Sequence, residues 1–201
     1  MRSFRAYQRF RRTYADVALE QMRRFADLLI AGALLISVSP LMLAVVLAIR
    51  WEGPGPILGR QRCIAPGGRR FEMLKFRTIV PDPERTMPIW ARKPTRIGEF
   101  LRYTRIESLP QLINVLRGEM SLVGPRPALP IEVEQYDDWI RNRLKVKPGM
   151  TGLWQVSGRT ETSFADYIRF DLFYIQNWSL ALDAWILWRT LRAVRSGEGA
   201  S

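Results

Sequence analysis

The sequence contains no histidine and a single cysteine, Cys63. A lone cysteine cannot form a disulfide within the chain, and the commonest general base and transition-metal ligand are missing without histidine. Zinc sites, Ser-His-Asp triads and Cys-His nucleophile pairs are therefore excluded. Cys63 is interpreted as a small apolar core residue. Any catalysis has to use carboxylates, hydroxyls, Lys or Arg side chains and a hard cation such as Mg²⁺.

Acidic residues are also scarce, since 19 Asp and Glu stand against 31 Lys and Arg in 201 residues, a formal net charge of +12. The whole excess lies before residue 106, because residues 106–201 carry equal numbers of both signs. A basic half of this kind suits anionic lipid head groups or anionic substrates. Nucleic acid is the other usual partner of a basic protein. We expect no nucleic-acid partner, because the basic half surrounds a long uncharged run.

That run covers 22 uncharged and mostly aliphatic residues, 28–49. Its length lies within the range of about 17–25 residues that a membrane-spanning helix needs. The Arg-rich segment before it, and the lack of a small-residue cleavage site after it, argue against a signal peptide. Ser39 and Pro40 lie near its centre, where proline removes a backbone donor and kinks a helix. The run is therefore predicted to be a membrane segment made of two half-helices.

Arginines flank this run on both sides, so the positive-inside bias draws both of its ends to the cytoplasm. A helix that crosses the bilayer satisfies only one flank, whereas a re-entrant helix-break-helix hairpin satisfies both. In such a hairpin the Ser39 hydroxyl can bind backbone groups that Pro40 leaves free. We expect the re-entrant hairpin, with a spanning helix and a buried core helix as the alternatives.

The rest of the chain predicts an α+β fold, a small cytoplasmic domain of short helices with a minor β-hairpin around Gly67 and Gly68. Helical periodicity is found over residues 95–103, 109–116, 131–146, 164–176 and 180–195. The last helix carries Trp185 and Trp188 among arginines, which suits a membrane interface as well as an amphipathic core helix. The expected organisation is a basic extension (1–22), the re-entrant hairpin (23–50), the cytoplasmic domain with interfacial helices (51–195) and a loose tail (196–201).

Carboxylates among fixed cations are what phosphoryl transfer needs, because cations neutralise the spreading charge while an oxygen attacks. Charged residues of both signs are dense between Arg96 and Arg126. Density alone is also typical of a solvated helix face. Three phrases strengthen the catalytic interpretation, because each places an arginine or a carboxylate beside a proline turn. These phrases are RIESLPQL at 105–112, GEMSLVGPRP at 118–127 and KPGMTGLWQVSGR at 147–159.

With these phrases the sequence resembles the bacterial monotopic phosphoglycosyl transferases, in their short catalytic-unit form. The likeness extends from Arg23 to Arg195 and includes RRFADLLIAG at 23–32, Ser39-Pro40, FEMLKFRTI at 71–79 and DLFYIQNWSLALD at 171–183. It implies transfer of a sugar 1-phosphate from a UDP- or GDP-sugar to polyprenyl (undecaprenyl) phosphate, as the first membrane step of polysaccharide or glycan assembly. It also implies Mg²⁺, membrane lipids and a location on the cytoplasmic face of the bacterial inner membrane. A homo-oligomer is left open.

The resemblance implies a carboxylate nucleophile and a covalent phosphosugar intermediate. Members of the family have Asp, the nucleophile, and then Glu before Leu-Pro-Gln, where this chain has Glu107 and Ser108. Glu107 is one methylene longer than Asp, a displacement of roughly 1.5 Å, and a misplacement of about 1 Å can lower a rate about 10²-fold. Ser108 is only a weak magnesium ligand. We expect an adapted active site with Glu107 and Ser108 catalytic and Glu107 and Glu119 at the metal.

Two alternatives remain open. A catalytically impaired homologue would act as a lipid- or partner-binding subunit, and a basic amphipathic module would bind membranes or nucleic acid. The resemblance also assigns phosphate or substrate binding to seven further positions, with a structural hydrogen bond as the alternative for Asp183. These positions are Arg102, Arg126, Arg159, Lys75, Arg77, Asp171 and Asp183.

Overall fold

The computed structural model describes residues 14–81, 91–157 and 164–196. Within these ranges the chain forms a mixed architecture of helices and two small sheets, in agreement with the α+β prediction. The helices are α1 (Tyr14–Glu52), α2 (Arg96–Tyr103), α3 (Gln111–Arg117), α4 (Pro130–Glu134), α5 (Leu153–Val156), α6 (Phe164–Gln176) and α7 (Leu180–Ser196). The strands are β1 (Leu58–Ile64), β2 (Arg70–Phe76), β3 (Ser121–Val123) and β4 (Gly149–Thr151).

The first helix, α1, is continuous over 39 residues and includes Pro40. The Ser39 hydroxyl donates to the carbonyl of Ile36 at 2.8 Å. This carbonyl lies four residues before Pro40, which has no N–H to bind it, so Ser39 has the backbone role expected of it. The predicted division into two half-helices is not confirmed, and the expected boundary at residues 22 and 23 falls inside the helix.

One face of α1 packs against the rest of the protein along most of its length. Ala31, Val45 and Ile49 are buried on that face, at the spacing of a helical stripe. The opposite face exposes large aliphatic side chains, and Ile36 is 77% and Leu47 61% exposed. Within the described ranges, α1 is the one helix long and apolar enough to cross a membrane. Its exposed face is suited to contact with lipid.

Two small sheets hold the domain that follows α1. β1 and β2 form the predicted antiparallel hairpin, in which Cys63 lies opposite Phe71. Gly67 and Gly68 both have a positive φ in the turn between these strands, a backbone conformation that glycine adopts without strain. β3 and β4 pair in parallel, and neither strand is predictable from a periodic pattern because each has only three residues.

The main core joins α1 to α3, the β1–β2 hairpin, α6 and α7. It contains Leu112, Val115 and Tyr174, together with Cys63, which is fully buried. Burial raises the pKa of the Cys63 thiol to about 11, so the reactive thiolate is disfavoured. This agrees with the interpretation of Cys63 as a small core residue.

Most of the predicted helices are present, but the helix predicted over 131–146 is wrong. That stretch forms α4 and a separate 3₁₀ turn, Ile140–Lys145. Between them Tyr136 is buried, and its hydroxyl accepts a hydrogen bond from Arg143 at 2.8 Å. These tertiary contacts of two buried polar side chains override the helical periodicity.

The C-terminal end of α1 is attached to the domain by Arg77, which is only 6% exposed. Its guanidinium donates to the carbonyls of Ile49 at 3.0 Å, Gly53 at 3.2 Å and Pro54 at 2.8 Å. The last carbonyls of a helix have no partner within the helix. Arg77 therefore supplies the partners that the end of α1 lacks, and it joins that end to β2.

We predict that Arg77→Gln lowers the free energy of unfolding by about 2–4 kcal/mol, since hydrogen bonds from a charged donor are lost and buried carbonyls remain. Arg60→Gln is the control, because Arg60 is exposed and paired with exposed Glu72, and we expect a change within about 0.5 kcal/mol. Urea unfolding of the detergent-solubilised protein measures both. An equal decrease in the free energy of unfolding for the two variants would contradict this role of Arg77.

Candidate active site

A cleft of about 630 Å³ lies between β2, the connection from α2 to α3, and the segments that follow β3 and β4. Among the residues that the structure describes, its charged lining consists of four cations and one carboxylate: Lys75, Arg102, Arg105, Arg126 and Glu107. A concave surface with this excess of positive charge concentrates polyanions. Guanidinium groups in particular offer paired donors that match phosphate oxygens.

Glu107 is placed in this cleft by a tight turn between α2 and α3. The turn is a 3₁₀ segment, Ile106–Ser108, and the residue before it, Arg105, has left-handed backbone angles (φ 59°, ψ 10°). Within the described ranges, Arg105 is the one non-glycine residue with a positive φ. Such strain persists only where the surrounding structure enforces it, and it is frequent at functional sites. The turn brings both Glu107 and Ser108 to the cleft.

Lys75 on β2 faces Glu107, with 3.7 Å between its Nζ and the Glu107 Oε1. The Glu107 side chain is 20% exposed and that of Lys75 is 34% exposed, so the pair is accessible to a ligand. The position of β2 relative to α3 is set by the fully buried Asn114. Its amide oxygen accepts from the Leu74 N–H at 3.0 Å, and its amide nitrogen donates to the Glu72 carbonyl at 2.8 Å.

Arg102 and Arg126 approach the cleft from different elements. Arg102 on α2 donates through Nε to the Thr78 hydroxyl at 3.1 Å, which leaves its terminal nitrogens for a ligand. Arg126 is exposed, and its guanidinium lies 5.7 Å from the centre of the Tyr167 ring. Cation–π contact of this kind orients a guanidinium without using its donors.

The turn that carries Arg126 packs closely on the start of β4. The Gly149 N–H donates to the Pro125 carbonyl at 2.8 Å. A Cβ on Gly149 would lie 2.1 Å from the Gly124 nitrogen, so only glycine allows this approach. The phrases GEMSLVGPRP and KPGMTGLWQVSGR, far apart in sequence, thus meet at one wall of the cleft.

The structure brings five of the expected residues to the cleft: Lys75, Arg102, Glu107, Ser108 and Arg126. Arg159 lies outside the described residues. Arg77 does not line the cleft, because its guanidinium is engaged with the end of α1. Glu119 is also absent from the lining, and its carboxylate accepts from the Asn114 amide at 2.6 Å.

Asp171 and Asp183 lie in the protein interior and do not line the cleft. Asp171 forms an ion pair with Arg143 at 2.6 Å, and burial raises its pKa to about 7 against the opposing effect of Arg143. Asp183 pairs with Arg23 of α1 at 3.2 Å and accepts a hydrogen bond from the Tyr174 hydroxyl. The structural role considered for Asp183 agrees with these contacts.

Several residues that line the cleft are not predicted from the sequence. Arg105 and Gln111 lie on either side of Glu107 in the sequence, and Trp154 and Gln155 lie within α5. All four belong to the phrases RIESLPQL and KPGMTGLWQVSGR. Their place in these phrases is the one indication in the sequence that they lie near the site. Nothing in the phrases distinguished their cleft-facing members from the buried ones.

The comparison with known families decides the class of this protein. The model of the family described as bacterial sugar transferase matches residues 18–197. The chain belongs to the bacterial sugar transferase family. This transferase is thereby an enzyme of the phosphoglycosyl transferase type, since relatives in the family are named phosphotransferases and sugar transferases.

Three relatives show how far the likeness extends. Exopolysaccharide production protein ExoY of Sinorhizobium fredii is 38% identical over 197 residues, which cover 89% of this chain and 87% of that protein. A UDP-galactose-lipid carrier transferase of Erwinia amylovora is 39% identical over 198 residues, and an undecaprenyl-phosphate galactose phosphotransferase of Salmonella typhimurium is 37% identical over 198 residues. The matches cover 89% of this chain and 41% of each of these two longer proteins.

We predict that Arg126→Ala raises the Kd for inorganic pyrophosphate at least about fivefold, because one charge-assisted contact to phosphate contributes about 1.5–3 kcal/mol. Arg60→Ala removes an exposed arginine that does not line the cleft, and it serves as the control for net charge. Calorimetric titration at constant ionic strength measures both. Equal weakening by the two substitutions would mean that pyrophosphate binds to the basic surface in general.

Proposed function

We propose that this transferase moves a sugar 1-phosphate from a nucleoside diphosphate sugar to polyprenyl phosphate and releases the nucleoside monophosphate. The observation that carries the proposal is the Glu107 carboxylate within a cleft that holds four cations. The names of the relatives support the substrate classes, because they include a UDP-galactose-lipid carrier transferase and an undecaprenyl-phosphate galactose phosphotransferase. A UDP-sugar is accordingly the donor proposed first, ahead of a GDP-sugar.

In the first step, a carboxylate oxygen of Glu107 attacks the β-phosphorus of the donor. The bridging P–O bond of the diphosphate breaks, and the nucleoside monophosphate leaves with the electron pair. Arg102 and Arg126 hold the diphosphate oxygens, where charge develops in the transition state. Lys75, close to Glu107, orients the nucleophile and balances its charge before attack.

In the second step, a phosphate oxygen of the polyprenyl phosphate attacks the same phosphorus. The bond between Glu107 and phosphorus breaks, so the carboxylate is restored and the lipid carries the sugar through a diphosphate. Division of one displacement into two is the general advantage of a covalent nucleophile. It also allows the two phosphate-bearing substrates to use the same cations in turn.

Magnesium is proposed as a companion of the donor diphosphate. Within the described part of the chain there is no group of three or more acidic, His or Cys residues that could hold a metal, and Glu119 is engaged by Asn114. Magnesium often binds through one or two carboxylates together with substrate phosphates. Glu107 and Ser108 fit that pattern, and the ion would supply charge neutralisation at the phosphates.

We predict that Glu107→Gln lowers nucleoside monophosphate release at least about 10³-fold, because an amide cannot act as the nucleophile. The assay contains undecaprenyl phosphate in detergent and a panel of UDP- and GDP-sugars, with Mg²⁺ or with a chelator. Glu72→Gln is the control, since Glu72 is an exposed acid of β2 that does not line the cleft, and its activity should stay within about twofold of the unsubstituted chain.

Each outcome of this assay has a definite meaning. Release that Glu107→Gln does not affect would place the nucleophile elsewhere. No release from any donor, together with release by the double variant Glu107→Asp and Ser108→Glu, would identify the chain as a catalytically impaired homologue that binds lipid or a partner. Release that persists with the chelator would contradict the magnesium proposal.

We further propose that α1 does not cross the bilayer and that the cleft lies at the cytoplasmic face of the inner membrane. Near its N-terminal end, Arg24 donates to the carbonyls of Val115 and Leu116. At its C-terminal end, the Glu52 carboxylate accepts from the Ile97 N–H at 3.0 Å. These partners belong to one polar domain, which cannot lie on both sides of a membrane. The contacts therefore support a monotopic arrangement, in which both ends of α1 lie on the same side of the membrane.

The positions of the two ends of α1 can be tested by cysteine labelling, since buried Cys63 should give little background. We predict that Glu20→Cys and Trp51→Cys both react with a membrane-impermeant maleimide in inside-out vesicles and that neither reacts in intact spheroplasts. Both positions are exposed, Trp51 by 92%. Labelling of the two sites from opposite sides would show that α1 spans the membrane.

A further inference from the structure

A buried ion pair lies behind the turn that carries Arg126. The Arg143 and Asp171 side chains are 2% and 1% exposed, and they are 2.6 Å apart. Neither residue lines the cleft, so neither can touch a substrate directly. Burying such a pair gains little stability over apolar residues of the same size, because both charges have to be desolvated. Stabilisation of the fold therefore does not explain why this pair is buried, and another role has to be considered.

The pair is linked to the backbone of Arg126 through Arg143. Arg143 donates through Nη2 to the Arg126 carbonyl at 3.0 Å, and the same nitrogen donates to the Asp171 carboxylate at 2.6 Å. The peptide group that follows the Arg126 Cα is thus held by a buried cation, and Asp171 holds that cation in turn. Because Arg126 lies between Pro125 and Pro127, the backbone around it also has few alternative conformations.

The same network extends to the end of the turn. Arg143 donates through Nη1 to the Tyr136 hydroxyl at 2.8 Å, and Tyr136 lies 3.5 Å from the Glu132 carboxylate. Glu132 in turn accepts from the Leu129 N–H at 3.0 Å. The backbone is therefore anchored at Arg126 and again at Leu129, while the Arg126 guanidinium itself remains exposed at the cleft.

We propose that Arg143 and Asp171 are a positioning pair that fixes the backbone of Arg126, so that its guanidinium presents its donors to the donor substrate's diphosphate. This inference rests on the proposed function and assigns these two buried residues to it. Bidentate contact with phosphate depends on the angle of the guanidinium plane. A small displacement of the Arg126 backbone is therefore sufficient to weaken it.

The first test is Arg143→Lys, which keeps the positive charge but cannot reach Asp171, Tyr136 and the Arg126 carbonyl together. We expect the Kd for UDP to rise about tenfold. Arg24→Lys is the matched control, since Arg24 also donates two hydrogen bonds to backbone carbonyls, at 2.6 and 2.9 Å, and does not line the cleft. Arg24→Lys should leave the Kd for UDP within about twofold of that of the unsubstituted chain.

The second test separates positioning from general destabilisation. If Arg143 acts through Arg126, then Arg143→Lys in an Arg126→Ala background should change the Kd for UDP less than about twofold. Losses that multiply in the double variant would overturn the inference. So would an unchanged Kd for Arg143→Lys in the chain that retains Arg126.

The third test does not depend on activity. Hydrogen exchange of the peptide that covers residues 121–133 should be faster in Arg143→Lys than in Arg24→Lys, because the turn loses its anchor at the Arg126 carbonyl. Unchanged exchange would overturn the inference even if the enzyme is active. Conversely, faster exchange and weaker UDP binding would support it even if the unsubstituted chain released no nucleoside monophosphate, an outcome that would contradict only the proposed function.

Discussion

The attachment of both ends of α1 to one domain is the constraint on which the rest of the structure depends. At the N-terminal side, Arg23 pairs with Asp183 and donates to the Val123 carbonyl at 2.6 Å. At the other end, Arg77 binds the carbonyls that α1 leaves free. Because these contacts involve β3, α7 and the residue that follows β2, the long apolar helix orders the domain around it and leaves one apolar face exposed.

The candidate site depends on two turns of limited flexibility that face each other. One carries Glu107 after the left-handed Arg105, and the other carries Arg126 between two prolines. Short, restrained turns hold side chains without losing much conformational entropy on ligand binding. In the described part of the chain they set one carboxylate against several cations, a balance of charge suited to substrates that bring their own negative charge.

Much of the fold followed from local pattern. The α2, α6 and α7 helices and the hairpin at Gly67 and Gly68 were predictable, because their apolar spacing or turn residues act over a few positions. The break at Tyr136 was not predictable, since it depends on contacts with Arg143 that form only when the core assembles. The parallel pair β3 and β4 was also missed, because three-residue strands carry no periodicity.

The sequence by itself determined the chemistry that is available, the long apolar helix and the family. Composition excluded histidine and disulfide chemistry, and the order of the phrases identified the transferase. Only the tertiary structure decided which charged residues share the cleft. Arg77, Asp171 and Asp183 have the same side-chain chemistry as the cleft residues, yet they are turned inward, where they hold a helix end, a turn and a helix pair. The physical reason is that burial and hydrogen-bond partners depend on residues distant in sequence.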